Sequence, residues 1–256
     1  MPTGNEEFRD AMVRHQVGLI RFAGSLRKKV FKLLDDTEAD LRDQIEKRGE
    51  KLAQPGAGAN LDDTQTRRRL ESLEKGIKEL RGGAHDKVRK QMLADMRELA
   101  KEEPAFVADN LDQSMPVTLD FVMPDTDQLQ DIVSSNPMRG QPIKDWAKKL
   151  EADDINRITQ QIRIGLVEGD TARQLARRVV GSARLRGTNG VTEITRRDAA
   201  AITRTATNHV ASQSRKRFMG ANRDLIDEEV YTATLDSRTS AICQSLDNKT
   251  FPVGEG

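Results

Sequence analysis

Cys243, His209 and Asp236 are the first residues to weigh for chemistry. A nucleophilic thiol needs a base to generate thiolate and a third group to orient that base. No local motif joins these three, and His209 falls in an alanine-rich stretch of helical period. Packing roles are therefore expected for the thiol and the imidazole, and no hydrolase activity. His15 and His85 sit on helical stripes and read as structural or exposed. The acid pairs Asp35-Asp36, Asp62-Asp63 and Asp153-Asp154 are sequence neighbours. On a helix such neighbours diverge, so they read as caps and surface charge, not as an acid–base dyad. The chain contains no Gly-x-x-x-x-Gly-Lys loop, no His-Glu-x-x-His and no Gly-x-Ser-x-Gly. A single cysteine supplies neither an internal disulfide nor the closed ligand set of a structural zinc, so neither metal nor cofactor is expected.

Arginine is the second residue type with chemistry to offer. Between Thr171 and Arg217 there are eleven basic residues and two acids, Glu193 and Asp198, in a chain whose net charge is only +1. The local excess is about +9, enough to make this segment a docking surface while the whole chain is no polycation. At 100° per residue Arg197, Arg204 and Arg215 share one ridge, with Asn208 beside them. Arg184 and Arg186 add charge on the preceding loop. Such a surface can meet phosphates, an acidic protein or only solvent, and the sequence leaves all three open. No aromatics interleave the arginines, so stacking on bases is not expected.

The elements that must carry these residues are mainly helical. Phe8, Met12, His15, Leu19, Phe22, Leu26 and Leu33 form a stripe of near-heptad spacing that runs on towards Leu41 and Ile45. Gly49 and the Gln54–Asn60 stretch, rich in Gly and Pro, end it. Leu70, Leu73, Ile77, Leu80, Ala84, Val88, Met92, Met96 and Leu99 form a second stripe. Two stripes about one breaker predict a long antiparallel hairpin over residues 1–103, kinked at Gly82-Gly83. Residues 104–135 read as an extended linker, with a short strand through Val117, Leu119 and Phe121. Residues 136–256 read as a helical domain ending in a small β-hairpin element. Within it, Gly169 stops a helix, Thr171-x-x-Gln174 is a capping box, Gly181 a cap, and 181–190 a mobile basic loop. A helix restarts at Thr195-x-x-Asp198. Tyr231, Ala233 and Leu235 alternate like a strand, Asp236 caps a short helix, and Thr250-Phe251 returns as the pairing strand.

Charged residues make up 32% and aromatics 4% of the 256 residues. That composition suits long, two-faced helices with much exposed surface. No apolar run approaches membrane length, and the first residues lack the order of a signal peptide, so a protein made in the cytoplasm is expected.

One ordered set of residues reaches further. Pro137-x-x-Gly140 precedes Trp146; Ile155 to Ile162 and Gly165-Leu-Val-Glu-Gly169-Asp-Thr171 follow; then come Arg204-Thr205, Leu235-Asp236, Arg238-Thr239, Cys243, and Asp247 with Phe251. In this order the second half resembles the phage head-morphogenesis family, the minor head proteins of the Mu type. The resemblance implies a non-enzymatic virion protein, low in copy, associated with the portal and acting in head assembly and in DNA packaging or ejection. It implies the portal protein, the major capsid protein and non-specific double-stranded DNA as partners, with no membrane and no small-molecule substrate. It makes Trp146, Gly169, Thr171, Thr205, Leu235, Asp236, Thr239, Cys243, Asp247 and Phe251 a structural motif. The family often carries Cys-x-x-Cys beside the Arg-Thr, whereas Ser240 stands here in place of the first cysteine. The rival reading, resting on 171–217 alone, is a non-virion helical nucleic-acid-binding module.

Overall fold

The computed structural model describes residues 3–53, 58–185, 187–233, 237 and 239–254. The chain is mainly α: α1 (Gly4–Asp35), α2 (Glu38–Gly49), α3 (Thr64–Ser114), α4 (Thr126–Ser134), α5 (Ile143–Glu168), α6 (Ala172–Val180), α7 (Thr192–Ala221) and α8 (Ala241–Leu246). Strands β1 (Glu228–Val230) and β2 (Thr250–Pro252) pair antiparallel, with Glu229 opposite Phe251. The contacts divide the chain into two units. Unit 1 comprises residues 1–18, 96–136 and 208–256; unit 2 comprises 19–95 and 137–207.

Unit 2 is built where the apolar stripes meet. Leu41 and Ile45 of α2, Leu73 and Ile77 of α3, Ile158, Ile162 and Leu166 of α5, and Leu175, Ala176 and Val179 of α6 form one buried cluster. Burial of apolar side chains on this scale is the main driving force for such a bundle. Small residues sit where helices cross. A Cβ on Gly49 would stand 3.3 Å from the Ala172 methyl, and one on Gly165 only 2.5 Å from Leu175. Two bonds show that α1 and α3 run antiparallel here. Lys29 Nζ reaches Asp95 Oδ2 at 2.8 Å, and the Arg81 guanidinium donates to the Leu34 carbonyl at 3.2 Å.

Unit 1 places Phe121 against Phe218, their ring centroids 5.5 Å apart. Beside them Asn222 is buried and pairs with Val122 as a strand would. Its carboxamide accepts the Val122 N–H at 2.7 Å and donates to the Val122 carbonyl at 2.9 Å. The stretch read as a strand is thus extended but has a side chain, not a second strand, for a neighbour.

Several elements differ from the sequence expectation. The first stripe is broken at Asp36-Thr37 into α1 and α2, whereas α3 runs unbroken through Gly82, Gly83 and Pro104. The extended stretch is accordingly shorter than 104–135: α3 reaches Ser114 and α4 begins at Thr126. Helix α7 starts at Thr192, and Thr195 is already one of its buried side chains. The first strand lies at Glu228–Val230, before Tyr231. In the basic loop Ser182 N–H and the Asn189 side chain bond at 2.9 Å, and Gly187 N–H reaches the Ser182 carbonyl at 3.0 Å.

Candidate partner and nucleic-acid interface

The basic segment is sorted by its partners. Arg178 is held by Asp170 and Glu168. Arg196 is clamped by Asp35 at 2.8 Å, by Glu38 and by Glu193. Arg197 leans on Glu193 at 3.6 Å but stays exposed. Arg215 belongs to unit 1, where it donates to the buried Glu103 at 3.1 Å. Arg197 and Arg204 belong to unit 2, and Asn208 to unit 1. The expected ridge is therefore not a uniform row of unpaired cations. Among the described residues of the basic segment Arg173, Arg177, Arg184, Arg204 and Arg217 are exposed with no carboxylate in ion-pair range, and they are cations available to an outside anion. Arg186 lies outside the described residues.

Beneath this surface lies a buried polar network in unit 2. Asp154 is fully buried on α5 and is bonded by three side chains. Arg81 Nε donates to its Oδ2 at 2.7 Å, His85 Nε2 bonds the same oxygen at 2.8 Å, and Thr195 Oγ1 donates to Oδ1 at 2.6 Å. Arg81 continues to Thr37 Oγ1 at 2.9 Å. Burial pushes the Asp154 carboxyl up, but the His85 hydrogen bond and the Arg81 charge outweigh it and hold its pKa at about 2. A carboxylate accepts, so His85 donates from Nε2, and its buried Nδ1 has no hydrogen-bond partner. This network ties α3, α5 and α7 together. Asp154 is therefore not the cap or surface charge that its place beside Asp153 suggests. Neither Arg81 nor a buried bonding role for Thr195, read as a helix start, follows from spacing.

The motif residues hold the chain's turns. Trp146 Nε1 donates to the Met138 carbonyl at 2.8 Å and fixes the entry to α5. Gly169 caps α5 at φ 80°, and Thr171 with Gln174 forms the reciprocal capping box of α6. Thr205 is half-buried on α7. The Thr239 carbonyl accepts from Gln244 at 3.1 Å. Ser240 caps α8: its hydroxyl accepts the Cys243 N–H at 3.2 Å. Asp247 accepts the Ala233 N–H at 2.8 Å, and Phe251 lies on β2. Leu235 and Asp236 lie outside the described residues.

The thiol of Cys243 is half-buried. The Ser240 and Tyr231 hydroxyls lower its pKa below the ordinary thiol value, Tyr231 Oη donating to Sγ at 3.4 Å. His209 lies on α7 with its Nε2 buried and unpartnered, and burial lowers its pKa. Among the described residues no group of three His, Cys, Asp or Glu side chains is arranged to hold a metal ion. No described helix is long and apolar enough to cross a membrane.

Residues 127–256 match a family model described as phage Mu protein F like protein. No curated protein and no solved structure matches the chain.

Proposed function

The chain belongs to the phage Mu protein F like family, a family of phage head morphogenesis, and from that membership we propose that it is a minor head protein docked at the portal vertex. The match over residues 127–256 carries this reading. The protein acts there in head assembly and in DNA packaging or ejection, as a structural component of the virion and without catalysis. Its partners are the portal protein and the major capsid protein. Unpaired exposed cations at Arg173, Arg177, Arg184, Arg204 and Arg217 support a contact with an anionic partner, since a guanidinium without a carboxylate is free to take a phosphate. The non-enzymatic part of the reading is supported by the Cys243 thiol, which accepts from the Tyr231 hydroxyl and not from an imidazole. Co-expression with the cognate portal followed by size exclusion tests the proposal. Co-elution as one species is expected, and separate elution at micromolar concentrations overturns it.

The second reading, a helical nucleic-acid-binding module, draws on the same arginines. It predicts binding to duplex DNA with no affinity for the portal.

A further inference from the structure

We propose that residues 4–18 of α1 form a detachable strap on unit 1, latched by the bond between His15 and Glu103. The inference goes beyond the proposed role and does not depend on it. Helix α1 is continuous, yet its burial is not. From Thr3 to Gly18 no residue is buried, whereas Leu19, Leu26, Val30 and Leu34 are. The strap lies antiparallel on the end of α3. At its tip Gly4 presses on Ser114, where a Cβ would stand 2.1 Å from the carbonyl oxygen. Further along, His15 Nε2 meets Glu103 Oε1 at 2.5 Å, and the imidazole stacks on Phe106 with centroids 3.8 Å apart. Phe8, Ala11 and Met12 are only half-buried, and Val13 and Val17 face solvent at 51% and 47% exposure.

A helical segment of about 15 residues is marginal in water by itself, so this one depends on its docking. The docking rests on few groups, and the buried one, Glu103, does not need the strap. Its second oxygen keeps Arg215 at 3.1 Å whether or not His15 is present. Opening the latch therefore strands no buried charge, the usual obstacle to breaking a buried pair. Gly18 marks the root of the strap. A Cβ there would meet only the His15 ring at 3.9 Å, so packing does not demand glycine, and glycine inside a helix favours fraying.

Hydrogen exchange on the full chain, read by mass spectrometry, tests this. Amides of residues 5–18 should exchange at least about tenfold faster than those of 26–35 in the same helix, because local opening takes less free energy than global unfolding. His15→Ala should raise exchange in 5–18 further and leave 26–35 unchanged. His15→Gln, which keeps a donor towards Glu103, should restore most of the protection, and Gly18→Ala should slow exchange in 5–18. Uniform protection across Gly18 overturns the proposal. So does a His15→Ala variant that loosens 26–35 as much as 5–18.

Discussion

Two buried carboxylates, Glu103 and Asp154, are each bonded by one arginine and one histidine. Asp154→Ala leaves the Arg81 guanidinium buried without its counter-charge and should cost about 3–5 kcal/mol, read as a fall in the urea midpoint. The same residue sets an acid limit. Its folded pKa of about 2 lies below the ordinary carboxylate value near 4, so its contribution is fully present above that value. It is lost as pH falls towards 2, an effect of roughly 2 kcal/mol. Urea melts at pH 5 and pH 2.5 should show the loss, and Asp154→Asn should flatten it. Both carboxylates were within reach of the sequence. Asp154 stands four residues from Leu150 and from Ile158, and Glu103 four from Leu99 and Val107, on the apolar faces themselves. Their charge class argued for the surface, and position on the stripe won because partners from other helices neutralise them. Those partners, Arg81 and Thr195 or His15 and Arg215, are far apart in the chain, which is why spacing alone could not assemble the sites. Cys243→Ser, by contrast, should leave folding and particle infectivity unchanged.

Turn and cap chemistry carried well from sequence to structure. The Thr171–Gln174 capping box, the Gly169 stop and the Gly181 cap all fall where their residue types demand. Gly181 adopts φ 78° and ψ −176°, a conformation open essentially to glycine alone, and a Cβ there would lie 2.6 Å from the Gly187 carbonyl oxygen. Gly181→Ala should therefore destabilise by about 1–3 kcal/mol. Thr171→Ala, which removes the cap but strains nothing, should cost about 1 kcal/mol. Thermal melts of the two variants side by side check the ranking. Breaker logic failed at Pro104. Proline lacks an N–H and crowds the preceding turn, yet α3 continues, because Glu103, Pro104 and Val107 are all buried and packing overrides the local preference. The strand register at Tyr231 failed for a related reason: three alternating residues cannot distinguish β1 from the stretch that follows it.

The segment that matches the family model takes its core from the segment that does not. Ile158, Ile162 and Leu175 pack on Leu41, Ile45, Leu73 and Ile77, so the helices ahead of residue 127 are structural partners of the matched half. Phosphate binding by the assembled surface should be sequence-independent, with a dissociation constant on the order of 10⁻⁴–10⁻⁶ M at physiological salt. Arg204→Glu should weaken binding and flatten the salt slope, whereas Arg21→Glu on α1 should change little. Arg215, tied to Glu103, no longer serves as a test of DNA contact, because its reversal would disturb a buried carboxylate. A duplex titration at two salt concentrations measures this. Absent binding at both would transfer the arginines to an acidic protein partner.

The division of the chain also orders its birth. Unit 2 is complete once residue 207 has been made, but unit 1 waits for residues 208–256 to join 1–18 and 96–136. At about 5–20 residues per second those 49 residues take roughly 2–10 s. For that interval the nascent chain holds a finished bundle beside two stretches whose third contributor does not yet exist. Residues 1–18 and 96–136 are then without the surface they will share, and a chaperone or a neighbouring nascent chain has its opportunity there and not at the earlier-formed core.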